Sequence, residues 1–214
     1  MLLIFDWDGT LMDSEQKILA SMRDAALSCS LEPPADAAVR NIIGLELSLA
    51  IQQLFPGESA QGVAAIRAGY VDSFVAADQQ PCSLFPKVAE TLAELAGRGH
   101  QLCVATGKSR KGLNRVFSHL PQAALFSASR CADETASKPD PLMLQELCDE
   151  FSVAPEAALM VGDTEYDLEM AARIGMPSVG VAYGAHEPER LRRWNPLGVV
   201  DQFDGLLAYV DRGR

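Results

Sequence analysis

Leu2-Leu3-Ile4-Phe5-Asp6-Trp7-Asp8-Gly9-Thr10 runs four apolar residues straight into an acid, with a second acid two positions on. A short unbroken apolar run is how a strand buried on both faces reads, and such strands belong to parallel sheets covered by helices. The pattern recurs at 101–106, 158–163 and 177–182, with weaker candidates at 125–127 and 198–201. Helical patterns separate these runs. Residues 87–96 carry Val88, Leu92 and Leu95 on one face, entered through Pro86 and stopped by Gly97 or Gly99. Residues 141–151 and 167–174 repeat the arrangement, the latter closed by Gly175. Strands alternating with helices predict right-handed crossovers and a doubly wound, Rossmann-like parallel sheet, an α/β fold.

One segment breaks the rhythm. From about Asp13 to Asp78 only helical patterns occur: 14–27 with Ile18, Met22 and Ala26 in register and Asp13 as N-cap, then 36–43, 46–55 and 59–77. Gly44 and Pro56-Gly57 punctuate them. The simplest account is an all-helical module, residues 14–79, inserted into an α/β core formed by residues 1–13 and 80–214. Two sequential domains would leave the first strand without a sheet.

A chain of 214 residues, 48% hydrophobic, can bury a sizeable core. The formal net charge of -11 argues against non-specific nucleic-acid binding, which needs a basic face. It does not exclude small anionic ligands, because a few cations focused in one pocket outweigh a diffuse negative surface. The five scattered cysteines form no metal-binding spacing and read as inert thiols of a reducing compartment. No apolar stretch approaches the roughly 20 residues that span a bilayer, and no signal-like start precedes the first strand. The expectation is a cytoplasmic protein, monomer or homodimer, with no membrane or nucleic-acid partner.

Ligands of open parallel sheets lie beyond the carboxyl ends of the strands. The polar residues ending these strands are Asp6 and Asp8, Thr106, and Asp163, with Asp167 shortly after. Two carboxylates two residues apart on extended backbone can face one side, and close carboxylates call for a cation. Oxygen ligands of this kind suit Mg²⁺. A dianionic phosphate also needs donors: Thr106 offers a hydroxyl, and Gly107 lets its amide approach a ligand closely. Lys108 adds charge there, or simply starts a solvated helix. Lys138, in Ser137-Lys138-Pro139-Asp140-Pro141, either offsets the acids or lies on the surface, and spacing alone does not choose. His100, His119 and His186 have no acid or thiol at catalytic spacing and read as surface, as do Arg190, Arg192 and Arg193 on a solvated helix face.

Taken together, residues 6–14, Val104-Ala105-Thr106-Gly107, Ser137-Lys138-Pro139-Asp140-Pro141 and Gly162-Asp163-Thr164-Glu165-Tyr166-Asp167 resemble the four ordered motifs of the haloacid dehalogenase superfamily, in its phosphoglycolate phosphatase-like branch with a helical cap. The resemblance covers nearly the whole chain, and four motifs in order around an insertion are highly specific. It implies a Mg²⁺-dependent phosphate-monoester hydrolase acting on a small phosphorylated metabolite. Asp6 would be the nucleophile that forms an aspartyl-phosphate, and Asp8 the general acid and base. Mg²⁺ would be held by Asp6, the backbone carbonyl of Asp8 and Asp163, with Asp167 in support. Thr106, Gly107, Lys138 and the backbone amide of Trp7 would hold the phosphoryl group, while the Trp7 side chain belongs to the core. The loop around Gly44-Leu45-Glu46-Leu47 would face the site, although Glu46 suits a carboxylate-bearing substrate poorly and equally fits the first turn of its helix. A sugar-phosphate mutase shares these core residues. A metal-free dehalogenase has no use for Asp8, and a non-catalytic phospho-ligand module has none for an inserted cap.

Overall fold

A computed structural model describes residues 1–77 and 82–210. Alternation along β1 (Leu2–Phe5) divides its core in two, since successive strand side chains point to opposite faces. Leu3 and Phe5 pack with Val88, Leu92 and Phe203, whereas Leu2 and Ile4 pack with Leu144, Leu147 and Met170. All four strand residues are buried, so β1 is sandwiched on both faces.

Around it the strands β2 (Gln101–Thr106), β3 (Phe126–Cys131), β4 (Ala158–Gly162), β5 (Ser178–Val181) and β6 (Gly198–Val200) form one sheet ordered β3-β2-β1-β4-β5-β6. Every pairing is parallel. This is the expected doubly wound, Rossmann-like sheet. Its order reverses at β1, which pairs with β2 on one side and β4 on the other. A crevice opens beyond the carboxyl ends of strands at such a reversal, and Asp6 is the next residue.

Boundaries shifted where the apolar pattern thins. β3 is longer than 125–127 because its central Ser127-Ala128-Ser129-Arg130 lies at the sheet edge, where burial does not demand apolar residues. α6 (Arg110–Phe117), which lies outside the helical patterns read above, buries only Leu113. α5 (Val88–Gly97) and α7 (Leu142–Phe151) follow the expected apolar stripes. α8 (Glu165–Ala172) starts two residues earlier than its apolar pattern, because a capping box ties Thr164 to Asp167. The short helices α9 (Pro188–Arg192) and α10 (Leu207–Val210) complete the core layers.

Between β1 and α5 lie α1 (Glu15–Ser28), α2 (Asp36–Ile42), α3 (Leu47–Leu54) and α4 (Ala60–Ala76). They share an apolar core of their own, centred on Met22, Ile51, Val63 and Ile66. Ser14, not Asp13, is the N-cap of α1, and its hydroxyl makes no cap bond. Asp78 and the 79/80 boundary of the insertion lie outside the described residues. The two chain crossings that link insertion and sheet are zipped together: the Asp13 amide donates to the Ser83 carbonyl at 2.9 Å and the Phe85 amide to the Leu11 carbonyl at 3.0 Å. Among the described residues, no helix is long and apolar enough to cross a membrane.

Trp7 anchors the strand end that carries the acids. Its indole is fully buried, with ring centroids 5.3 Å from Phe117 and 6.0 Å from Phe126, and its Nε1 has no hydrogen-bond partner. Trp7→Ala is expected to cost about 3–5 kcal/mol by urea denaturation, from lost burial plus the residual cavity. Trp7→Phe keeps ring contacts and removes the partnerless N–H, so roughly half that cost or less is expected. Equal losses in the two variants would contradict this packing.

Candidate active site

Asp6 leaves β1 beneath the insertion with only 1% of its surface exposed. Burial strongly favours the protonated form of a carboxylic acid, so a charged Asp6 needs compensation. Lys138 supplies it. The Lys138 side chain, reached through the loop between β3 and α7, is wholly buried; its ammonium contacts Asp6 Oδ1 and lies 2.7 Å from Asp167 Oδ1. The alternative of a surface lysine is thereby removed. Burial opposes the lysine charge, but Asp167 and Asp6 outweigh it and raise its pKa.

Asp163 comes from the turn after β4, and Asp167 from the first turn of α8. Both are fully buried, and with Asp6 they bring carboxylate oxygens within 4.8 Å of one another. Asp163 Oδ1 accepts from the Thr10 hydroxyl at 2.8 Å and Oδ2 from the Ala185 amide at 2.7 Å. Asp167 Oδ2 accepts from the Thr164 amide and hydroxyl at 3.1 and 2.7 Å, which orients its other oxygen toward Lys138. Asp6 Oδ2, by contrast, is buried without a hydrogen-bond partner. Burial, then Asp167, raises the Asp163 carboxyl to about 7 despite these bonds. Burial raises Asp6 as well, with Lys138 opposing and Asp167 and Asp163 adding to the rise. Three buried carboxylates facing one ammonium fit a divalent cation, and the uncommitted Asp6 oxygen provides a ligand position.

Gly9 makes this convergence possible. Its φ is +86°, and a Cβ there would lie 2.2 Å from Asp163 Oδ2. The turn it forms returns the chain so that the Leu11 and Met12 amides donate to the Trp7 carbonyl at 3.0 and 2.9 Å.

The Asp8 carboxylate stands apart from that cluster. Its Oδ1 accepts from the Ser14 hydroxyl at 2.6 Å, and its Oδ2 lies 2.9 Å from the Lys108 ammonium. The hydroxyl of Ser14, the N-cap of α1, is therefore spent on Asp8 and not on the helix. Lys108 is thus the ion-pair partner of Asp8 and not a solvated side chain. Thr106 is buried at the end of β2, and its Oγ1 accepts from the Lys108 amide at 3.2 Å.

Gly107 serves a purpose beyond ligand approach. A Cβ there would meet the Gly44 carbonyl at 2.5 Å and the Leu45 carbonyl at 2.7 Å, so the insertion rests directly on the strand end. The loop around Gly44 thus faces the site as expected. The Glu46 amide donates to Ser137 Oγ at 2.9 Å, next to Lys138, while its carboxylate accepts from the Ser48 and Leu49 amides at the start of α3. Its charge caps a helix and is not aimed at the acids.

Two residues read as surface, His186 and Arg190, behave otherwise. His186 is buried: Nδ1 accepts from the Glu165 amide at 3.1 Å, and Nε2 is 3.3 Å from the Asn41 carbonyl. Burial lowers its pKa, favouring the neutral ring. Arg190 pairs with Glu165 and donates to Asn41 Oδ1 at 2.7 Å, while Tyr166 donates to the Asn41 carbonyl at the same distance. The partners of His186 are backbone groups, and Arg190 meets an acid 25 residues away and an asparagine on the insertion, which short-range spacing could not reveal. His119 is exposed yet borders the cavity beside Asp8, whereas Arg192 and Arg193 are exposed as expected. All five cysteines are free thiols.

Known proteins resemble this chain along nearly its entire length. The Probable phosphatase IndB of Dickeya dadantii (strain 3937) is 34% identical over 213 residues, covering 97% of this chain and 92% of that protein. A phosphoglycolate phosphatase of Vibrio cholerae serotype O1 is 30% identical, covering 98% and 96%. A predicted phosphoglycolate phosphatase from Haemophilus somnus 129PT shares the fold, with a TM-score of 0.89 at 24% identity over 98% of this chain and 97% of that one. The enzyme class expected from the sequence, a phosphatase, agrees with the names of these relatives. Residues 3–181 match the haloacid dehalogenase-like hydrolase family, and the chain belongs to it.

Proposed function

We propose that this protein is a Mg²⁺-dependent phosphatase that hydrolyses the phosphate monoester of a small metabolite through an aspartyl-phosphate on Asp6, as a phosphoglycolate phosphatase-like enzyme. The observation that carries the reading is the Asp6 carboxylate: buried at the reversal of the sheet, held by Lys138 through one oxygen, with the other uncommitted. The insertion at 14–79 serves as the cap that excludes water from the reacting group.

Asp6 attacks phosphorus in line with the leaving oxygen. A P–O bond to Asp6 forms as the ester P–O bond breaks. Asp8 gives its proton to the departing alkoxide, then takes one from the water that attacks the aspartyl-phosphate. The P–O bond to Asp6 breaks, inorganic phosphate leaves, and both acids return to their starting state. Lys138, the Thr106 hydroxyl and the backbone amides of Trp7 and Gly107 balance the charge on the phosphoryl oxygens. Ser14 and Lys108 hold the Asp8 carboxylate in place. Mg²⁺ would be held by Asp6, Asp163 and the Asp8 backbone carbonyl, with Asp167 in support; when bound it stabilises negative charge on the phosphoryl group. Five free thiols and a metabolite-sized cavity accord with a cytoplasmic enzyme.

Purified protein should release inorganic phosphate from an aryl phosphate with Mg²⁺ and stop in EDTA. Asp6→Asn should fold but lose activity by about three orders of magnitude or more, since the covalent route disappears. Activity retained by that variant overturns the nucleophile assignment. A mutase would return the phosphoryl group to a sugar, so free phosphate also separates that reading.

Asp163 gives a pH signature. Its carboxyl pKa, raised to about 7 in the folded protein, means that the folded state binds more protons than the unfolded chain from roughly pH 4 upward to that value. Stability without metal should therefore fall as pH rises through this window; Lys138, raised instead, stays charged throughout and adds no slope. Mg²⁺ needs the ionised carboxylates, so its stabilising effect should grow over the same range. Thermal melts in EDTA should show a lower Tm at about pH 8 than at about pH 5.5, with the Mg²⁺-induced rise larger at the higher pH. Asp163→Asn should reduce the EDTA slope, with the remainder coming from Asp6, whose carboxyl burial also raises. A Tm that climbs with pH in EDTA contradicts the assignment.

A further inference from the structure

Phe74, near the end of α4, is 6% exposed, and burial alone asks only for an apolar side chain there. The ring also presents a face to charge. Lys108 Nζ, from the sheet domain, lies 4.8 Å from its centroid, and Lys17 Nζ and Arg115 Cζ approach the same ring at 4.3 and 5.9 Å. These distances fall within the roughly 6 Å over which an aromatic face attracts a cation. Tyr70, one turn earlier on α4, stacks on Phe74 with centroids 5.7 Å apart and planes 27° apart, which orients the ring. Lys108 carries the contact into the site, because its ammonium is 2.9 Å from Asp8 Oδ2. That ion pair is not sealed: each side chain is 13% exposed. A cavity of about 300 Å³ adjoins both, with Phe74 on its wall.

A lysine–aspartate pair open to water holds its partners loosely, since water weakens the attraction and the four-carbon lysine stem samples many rotamers. A ring laid beside the ammonium displaces water there and offers a fixed negative face in its place. The other Asp8 oxygen accepts from the Ser14 hydroxyl at 2.6 Å. Both oxygens of Asp8 therefore answer to the insertion, one through Ser14 and the other through Lys108 and the ring that covers it. We infer that Phe74 is a positioning residue for proton transfer at Asp8: its ring holds the Lys108 ammonium, which holds the carboxylate. The acid is thus set in place only where the insertion is docked. This inference rests on the catalytic reading of Asp8. The step it serves is the passage of a proton from Asp8 to the leaving oxygen, as the ester P–O bond breaks and the bond from Asp6 to phosphorus forms.

Leaving groups of different basicity separate this role from packing. A nitrophenolate departs without a proton, whereas a benzyl alkoxide needs one in the transition state. The ratio of kcat/KM for benzyl phosphate to that for nitrophenyl phosphate, measured in Mg²⁺ buffer, therefore reads the acid at Asp8. Asp8→Asn should lower this ratio by about tenfold or more. Replacing Phe74 with mono-, di- and trifluorophenylalanine keeps the shape of the ring nearly unchanged while draining its negative face. The ratio should then fall stepwise, by about threefold or more at the trifluoro ring. In a Lys108→Met background the fluorinated series should be flat, because the link to Asp8 is already cut. Phe74→Leu should lower the ratio as well; if that variant does not fold, by circular dichroism, the fluorinated series decides. A ratio indifferent to fluorination, beside one that responds to Asp8→Asn, overturns the role of Phe74 and leaves Asp8 as the acid. A fluorine effect that survives in Lys108→Met also overturns it. A ratio that ignores Asp8→Asn, or wild-type protein that cleaves nitrophenyl but not benzyl phosphate, overturns the acid role of Asp8 and the inference with it.

Discussion

Three carboxylates and one ammonium share a volume closed to water, and the rest of the architecture follows from keeping them there. Asp6, Asp163 and Asp167 are each buried almost completely, a situation that isolated carboxylates avoid by taking up protons. Lys138 reaches across from the β3–α7 loop to meet two of them. Thr10, Thr164 and the Ala185 amide supply the remaining hydrogen bonds. An ion pair buried this deeply is a poor device for stability, because desolvation consumes much of the Coulomb gain. What it does is fix one Asp6 oxygen, leaving the other without a hydrogen-bond partner.

The insertion belongs to this site as much as the sheet does. Its loop carbonyls at Gly44 and Leu45 lie where a side chain on residue 107 would be. Its Ser14 hydroxyl bonds Asp8, and its Asn41 is gripped at once by His186, Tyr166 and Arg190 of the sheet domain. Tyr166 is next to Asp167 in the chain, and His186 follows Ala185, whose amide bonds Asp163. Docking of the insertion and assembly of the acid cluster therefore draw on the same two turns, after β4 and after β5.

Legibility tracked burial. Strands sandwiched on both faces, such as β1 and β4, announce themselves as apolar runs, and amphipathic helices such as α5 as stripes. The edge strand β3 was read short, because partial exposure frees its residues from the apolar code, and α6 was not read as a helix. The acids at strand ends were visible because an acid closing a buried strand is costly and so conspicuous. Lys138 was visible as a lysine between prolines, but its direction was open. Gly107 was read as room for a ligand; the insertion's backbone carbonyls also lie where its side chain would be. His186 was read as surface because its partners are backbone groups, which every sequence contains and none advertises.

By itself, then, the order of residues determined the doubly wound sheet, the helical insertion and the acids that end the strands. These follow from local periodicity and from the rule that parallel strands present their carboxyl ends to a ligand. Tertiary structure alone decided which cations meet which acids. Lys138 is 132 residues from Asp6, and Lys108 is 100 positions beyond Asp8. Direction of a long flexible side chain is set by what surrounds it, through desolvation and Coulomb attraction, and neither can be computed until the chain has closed around the site.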